Sequence, residues 1–145
     1  MDTIRRVLDV KGRAVHTIGP DATVYEAIKL MADCGIGALP VVQGDRLVGI
    51  VTERDYARKV VLQDRSSKST AVREIMTTEV VCVAQNERVT DCMELMTLRR
   101  FRHLPVVEDE RLIGLVSVGD LVKAVISGQK FVIEQLEQYI QGEIA

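Results

Sequence analysis

The chain has 145 residues, of which 47% are hydrophobic and 28% are charged, and its net charge is −2. These values are typical of one globular domain or two small ones, and they exclude a disordered chain. The nearly balanced charge provides no overall attraction to nucleic acid or to an anionic membrane. No window approaches about 18 consecutive apolar residues, and the N-terminal stretch lacks the apolar core of a signal peptide, so the sequence predicts neither a leader nor a membrane span.

Three cysteines, Cys34, Cys82 and Cys92, are widely spaced and form no C-x-x-C pair. His16 has no cysteine or carboxylate companion at the spacing of a metal ligand. The sequence therefore predicts no metal site. We interpret the cysteines as small apolar side chains in a reducing compartment, which predicts a cytoplasmic protein.

The first predicted elements are a short strand and a helix. Residues 15–18 form a short apolar run that is typical of a strand. Thr23 and Glu26 fit a capping box, in which the hydroxyl and the carboxylate each bind an N–H group that the first helical turn leaves without a partner. Gly35 follows the apolar stripe of this helix and predicts its C-terminal stop.

A β-hairpin and a second helix follow. The β-branched runs at residues 39–42 and 47–51 flank a Gly-Asp turn, which is typical of a hairpin. Thr52 stands at the N-cap of a helix predicted over residues 53–62. The polar, serine-rich stretch that comes next predicts an exposed linker at residues 66–71.

The second half of the chain repeats the first at an offset of 65 residues. Between residues 39–55 and residues 104–120, nine of 17 positions are identical without a gap. The order of strand, helix, hairpin and helix is therefore predicted twice. Because three short strands with two helices cannot enclose a core alone, we expect the copies to face each other. The predicted fold class is α+β, with pseudo-twofold symmetry and a small three-stranded sheet per repeat.

The repeat predicts a division of the chain into four parts. Residues 1–65 form the first repeat, 66–71 the linker, 72–128 the second repeat and 129–145 a separate C-terminal helix. One apolar stripe marks that helix, and it consists of Val132, Leu136, Tyr139 and Ile140. Such a stripe needs a surface to cover, on its own repeat or on a second copy of the chain.

Both hairpins lead into a turn with the same chemistry. Thr52 and Asp55 in the first copy correspond to Ser117 and Asp120 in the second. A hydroxyl at a helix N-cap can bind an anion, and an aspartate three residues later can accept hydrogen bonds from a vicinal diol such as a ribose. The same spacing is also typical of an ordinary helix cap, and duplication copies caps as well as sites.

The pattern G-h-h-[ST]-x-x-D after Leu-Pro-Val-Val closely resembles the CBS domain, named for cystathionine β-synthase. Two copies in one chain resemble a CBS pair, or Bateman module, over residues 7–128. The resemblance implies a homodimer that senses an adenosine-containing ligand, with AMP first and ATP, ADP or NAD(H) as alternatives. It also implies that the signal passes to another, unidentified protein.

The resemblance assigns ligand contacts residue by residue. It places the ribose on Asp55 and Asp120 and a hydroxyl contact on Thr52 and Ser117. It places the adenine between the first strand of a copy and the residues before Leu-Pro-Val-Val; these are Val15, Thr17, Ile36, Gly37 and Ala38 in one copy and Val80, Cys82, Phe101, Arg102 and His103 in the other. Arg102 and His103 would reach phosphate. The sites should differ, because Arg54 of the first copy is replaced by Gly119 in the second.

The same residues are compatible with other functions. A structural dimerisation module with vestigial sites is the principal alternative to a nucleotide sensor. The basic residues around Phe101 could instead bind nucleic acid, which the net charge disfavours, or simply solvate a helix end. No Ser/His/Asp or Cys/His set, P-loop or GxGxxG motif points to an enzyme.

Overall fold

The computed structural model describes residues 2–144, with side chains as far as residue 142. Within that range it has five α-helices and four strands. In chain order these are α1 (Ile4–Lys11), α2 (Val24–Cys34), β1 (Ala38–Gln43), β2 (Arg46–Thr52), α3 (Glu53–Tyr56), α4 (Val89–Arg99), β3 (His103–Glu108), β4 (Arg111–Ser117) and α5 (Val118–Ile144). A π-helical turn, Ala57–Val61, prolongs α3, and a 3-10 turn, Val72–Glu74, precedes the second repeat. The fold is α+β.

The two hairpins form one sheet with the strand order β1-β2-β4-β3. They meet at a single antiparallel pair, Arg46 opposite Arg111. Leu47 donates its N–H to the Glu110 carbonyl at 3.4 Å, and Leu112 donates to the Asp45 carbonyl at 3.2 Å. The two bonds exchange under the 65-residue offset, so the pseudo-twofold axis passes between the hairpins.

The first strand of each copy is shorter than the sequence predicts. Ile18 and Val83 each make one parallel bridge, to Val41 and Val106 respectively, and the residues before them pair with no strand. In the first copy Pro20, which has no N–H, limits extension of the ladder beyond Ile18. In the second copy the chain leaves the sheet to cap α1, whose Arg5 N–H bonds to the Gln85 carbonyl at 2.9 Å.

The hydrophobic core of each repeat also contains residues from the segment at the start of the other repeat. In α1, Ile4, Val7 and Leu8 pack into the core of the second repeat, beside Leu104 and other residues of that copy. The segment before the second repeat packs into the first core in the same way through Val72 and Ile75. Neither core is therefore built from one continuous stretch of sequence.

The last helix is unbroken where the sequence predicts a boundary. α5 runs through Gly128 and spans 27 residues, or about 40 Å. A glycine inside a helix costs only about 1 kcal/mol, and the residues around it favour helix. Gly35 does end α2, because it adopts a left-handed conformation with φ 65° that closes the last turn. Among the described residues, no helix has both the length and the apolar character of a membrane span.

Candidate functional site

The first-repeat turn, residues 52–55, is held by a reciprocal cap. The N–H and hydroxyl of Thr52 both donate to Oδ2 of Asp55, at 3.0 and 3.1 Å, and the Asp55 N–H donates to the Thr52 hydroxyl at 3.1 Å. Lys59, one turn further along, lies 3.0 Å from Oδ1 of Asp55. The carboxylate is therefore fixed in orientation, and its side chain is 13% exposed.

This turn opens onto a cleft of about 490 Å³ between the two repeats. The first repeat contributes Gly37, Ile50, Thr52, Glu53, Arg54 and Asp55. The rest of the lining comes from beyond the first repeat and includes Thr77, Glu79, Val80, Val81, Arg100, Phe101, Arg102, His103 and Pro105. The volume is within the range of small-molecule sites, about 300–1,000 Å³.

The charges around the cleft nearly cancel. The lining contains Arg54, Arg100 and Arg102 together with the carboxylates of Glu53, Asp55 and Glu79, and Asp55 is also paired with Lys59. The apolar lining, which includes Phe101, lies between these charged groups. Apolar side chains, cations and hydrogen-bond acceptors therefore line one cleft that is large enough for a small ligand.

Arg100 occupies a conformation that normally selects glycine. Its φ and ψ are 57° and 34°, and it caps the C-terminus of α4 where Gly35 caps α2. A side chain in this left-handed region costs roughly 1–2 kcal/mol. In the second repeat this strained position is occupied by Arg100, which lines the cleft.

The second-repeat turn, residues 117–120, keeps the cap but has a different neighbour. The Ser117 N–H donates to Oδ2 of Asp120 at 2.8 Å, and the Asp120 N–H donates to the Ser117 hydroxyl at 3.1 Å. The Lys11 ammonium lies 2.6 Å from the same Oδ2 and donates to the Leu115 carbonyl at 2.6 Å. Burial alone would raise the pKa of Asp120, but the hydrogen bonds from Lys11 and Ser117 outweigh it and lower the pKa.

Lys11 binds a carbonyl whose counterpart in the first repeat belongs to the open cleft. Leu115 corresponds to Ile50, which lines the cleft in the first repeat. There the Ile50 carbonyl accepts the backbone N–H of Thr77 at 2.9 Å. In the second repeat a side-chain ammonium, at the end of the longer helix α1, binds the equivalent carbonyl.

His103 lies between the two turns. Its side chain lines the open cleft, and Lys11, Asp120 and Arg102 are the charged groups that act on it. Burial, followed by the positive charge of Lys11, lowers its pKa below the ordinary value of 6.5, against the opposing effect of Asp120. The imidazole is therefore neutral at pH 7.

Half of the predicted ligand contacts line the cleft, and they come from both repeats. Its lining includes Gly37, Thr52, Arg54, Asp55, Val80, Phe101, Arg102 and His103. The remaining predicted residues lie outside it, namely Val15, Thr17, Ile36, Ala38, Cys82, Ser117, Gly119 and Asp120. The expected pairing of residues 52–55 with the small loop of their own repeat is incomplete, because the basic loop of the other repeat forms the opposite wall.

Sequence reasoning missed seven residues of the cleft. These are Ile50, Glu53, Thr77, Glu79, Val81, Arg100 and Pro105. Arg100 lies in the basic run and could have been included on charge. Thr77 and Glu79 carry no local signal, because only the pairing of Thr77 with Ile50 of β2 brings this part of the chain to the cleft.

A larger groove of about 1,200 Å³ lies between α1 and α5. Its lining includes Val7, Val10, Phe131 and Val132, and the Lys11–Asp120 pair lies at its border. Most of its surface is apolar, and its lining also contains charged side chains, including those of Arg6, Lys11, Asp120 and Lys123.

The comparisons with known proteins agree with this architecture. A family model for the CBS domain matches residues 7–62 and 72–127. The mitochondrial CBS domain-containing protein CBSX3 of Arabidopsis thaliana is 44% identical over 97% of this chain and 72% of its own length. A protein with CBS domains from Burkholderia ambifaria MC40-6 superimposes with a TM-score of 0.83 at 56% identity, over 88% of this chain and 96% of that one.

A ligand-bound structure is also similar. CBSX2 in complex with AMP superimposes with a TM-score of 0.70 at 27% identity, over 79% of this chain and 90% of that one. The two stretches matched by the family model cover most of the chain and coincide with the two symmetry-related halves of the fold. The chain belongs to the CBS-domain family and carries two CBS domains in tandem.

Proposed function

We propose that this protein is a regulatory module that binds an adenosine-containing ligand, AMP first among the candidates, in the cleft beside Asp55. The observation that carries the proposal is the cleft itself. Its volume is about 490 Å³, and its lining includes a fixed carboxylate and a basic loop of the other repeat. The AMP complex of CBSX2 supports this ligand class. Occupancy would add contacts between the two repeats, and a partner protein would read this change.

The lining suggests how each part of the ligand would be held. The ribose diol would donate to Asp55, whose oxygens retain acceptor capacity beyond the cap. The adenine would lie against the apolar residues Ile50, Val80 and Phe101. Arg102, with Arg100, would bind the phosphate.

The charge of the cleft favours a monophosphate over a triphosphate. Three arginines and Lys59 face three carboxylates, which leaves one net positive charge, so each phosphate charge beyond the first meets less unpaired positive charge. We therefore expect AMP to bind more tightly than ATP. We propose the first-repeat turn rather than the second, because Thr52 and Asp55 line this cleft whereas Ser117 and Asp120 do not.

Calorimetric titration of the full chain with AMP, ATP, NADH and GMP tests the proposal. The expected result is one AMP site per chain, weaker binding of ATP and no binding of GMP. At about 100 times its Kd, AMP should raise the free energy of unfolding by about 2.7 kcal/mol. Absence of any adenine nucleotide binding below the millimolar range would contradict the proposal.

A dimerisation module with vestigial sites is the second candidate. Both aspartates already act in reciprocal caps, which is the role that this alternative assigns to them. It predicts that mutation of either aspartate costs stability and changes no ligand affinity. The homodimer, the regulated partner and the cytoplasmic location stay predictions.

A further inference from the structure

We infer that Glu53 limits the number of phosphate groups on the ligand of the cleft beside Asp55, an inference that rests on the function proposed above. Glu53 is the first residue of α3 and lines the cleft. Its backbone N–H donates to the Gly37 carbonyl at 3.1 Å. The start of α3 is thereby attached to the loop before β1, and the Glu53 side chain begins from a fixed backbone position.

The Glu53 carboxylate lies against the backbone of Gly37. A Cβ atom at residue 37 would be only 2.8 Å from Oε1 of Glu53. Gly37 does not have the left-handed backbone conformation that favours glycine. The carboxylate, and not the backbone angle, is therefore what a larger residue at position 37 would disturb.

The second repeat has a different distribution of charge at the equivalent positions. Gly37 corresponds to Arg102, and Glu53 corresponds to Val118. The backbone contact is retained, because the Val118 N–H donates to the Arg102 carbonyl at 3.0 Å. The same contact thus carries a carboxylate in the first repeat and a guanidinium in the second. Since Glu53 and Arg102 both line the cleft, the negative charge of one repeat offsets the positive charge of the other within one site.

Glu53 combines a defined position with an unpaired charge. Asp55, by contrast, accepts two hydrogen bonds from Thr52 and is paired with Lys59 at 3.0 Å. Glu79 lies on an exposed bend outside the helices and strands. Within the described part of the chain, the Glu53 carboxylate makes no hydrogen bond and no ion pair. Its charge is therefore available to act on a ligand.

The size of the cleft brings this charge within reach of each phosphate. A sphere of about 490 Å³ is about 10 Å across, which is about one Debye length at 0.1 M ionic strength. Glu53 therefore repels a phosphate inside the cleft without complete screening. The first phosphate meets the net positive charge of the lining, whereas each further phosphate adds repulsion from Glu53. The residue thus selects against diphosphates and triphosphates.

Calorimetric titration of the full chain with AMP and ATP, without divalent cations, tests this role in Glu53→Gln. The substitution removes the charge and keeps the size of the side chain. The affinity for ATP should rise relative to that for AMP by about threefold at low salt. The rise should be smaller in about 0.5 M salt, where the Debye length is only about 4 Å. Glu79→Gln, the matched control, removes an equal charge from the same lining and should change the ratio less.

Gly37→Ala perturbs the carboxylate without removing it. The new methyl group displaces Oε1 of Glu53, so the ratio of ATP to AMP affinity should change in the wild-type background. It should not change further in the Glu53→Gln background, and a change that persists there would contradict the role of Glu53.

Two other results would also overturn the inference while leaving the nucleotide site in place. One is a wild-type affinity ratio in Glu53→Gln, and the other is an equal change in Glu79→Gln. If wild-type protein binds neither nucleotide, the proposed function is wrong, and the role of Glu53 is wrong with it.

Discussion

The first-repeat turn and the second-repeat turn have the same internal geometry but different surroundings. Each aspartate is capped by its hydroxyl partner within about 3 Å. Each also binds an ammonium group. Asp55 takes it from Lys59 of its own helical segment, whereas Asp120 takes it from Lys11, at the opposite end of the chain.

The difference originates in the segments that precede the repeats. The segment before the second repeat forms only a short turn, Val72–Glu74, and then pairs its backbone with Ile50. The segment before the first repeat forms α1, which extends to Lys11. A duplicated motif therefore retains its cap, while its neighbours decide whether a ligand can reach it.

The largest expected effect is the contrast between Asp55→Ala and Asp120→Ala. Asp55→Ala should weaken AMP binding at least tenfold, or about 1.4 kcal/mol, because the ribose loses a charged acceptor. Asp120→Ala should leave that affinity nearly unchanged, since its carboxylate lies outside the cleft. Calorimetric titration measures both.

The paired variants also control for stability. Each should lose about 1 kcal/mol of unfolding free energy, because each loses one capping side chain. If both variants lose this stability and bind AMP as the wild type does, the aspartates are caps alone, and the dimerisation-module alternative gains support.

Lys11→Met should make the two turns more alike. Methionine is the residue at the corresponding position of the other copy, Met76, and it cannot pair with Asp120. We expect the AMP stoichiometry to rise from one toward two per chain. The loss of stability should be at most about 1 kcal/mol, since the Lys11 side chain is 37% exposed.

Lys29→Met, on the exposed surface of α2, is the matched control and should leave the stoichiometry at one. Should Lys11→Met also retain a single site, Lys11 would not be what separates the two turns.

The sequence predicts the local elements well. The capping box at Thr23, the stop at Gly35 and the two hairpins are all confirmed, because each depends on residues close together in the chain. The internal repeat, which also uses sequence alone, predicts the pseudo-twofold relation of the hairpins.

The residues that line the cleft cannot all be predicted from local sequence patterns. The adenine contacts of the first copy were expected to include Ile36, Gly37 and Ala38, yet of these three only Gly37 lines the cleft, together with residues 100–103 of the other repeat. The position of α1 in the second core, and hence the Lys11–Asp120 pair, depends on packing between distant segments. No periodicity or motif in the sequence encodes such a crossing.

Arg100→Gly should improve stability while impairing binding. Glycine relieves the left-handed strain at this cap, so the unfolding free energy should rise by up to about 1 kcal/mol. Loss of the guanidinium should weaken AMP more than adenosine, because only AMP has a phosphate to bind.

Arg99→Gly is the control, at the last residue of α4. That position is helical, so glycine there should lower the unfolding free energy by about 1 kcal/mol. Denaturant titration compares the two variants. A stability loss in Arg100→Gly would show that its conformation is not strained.

The smallest expected effect is the pH response of His103, which lies between the turns. Because burial and Lys11 lower its pKa, the unfolded chain binds a proton that the folded chain does not, in the window between pH 6.5 and the lowered pKa. The unfolding free energy of the ligand-free protein should therefore fall as the pH drops through this window. A bound phosphate favours the charged imidazole, so His103 should contribute a gain of less than about tenfold in AMP affinity over the same window, opposed by protonation of the AMP phosphate itself. The lowered pKa of Asp120 acts below its ordinary value of 3.8 and so does not interfere.

His103→Gln should flatten both responses in denaturant and calorimetric titrations at pH 7.5 and 5.5. If the variant responds to pH as the wild type does, another group carries the effect, and His103 does not connect the two turns.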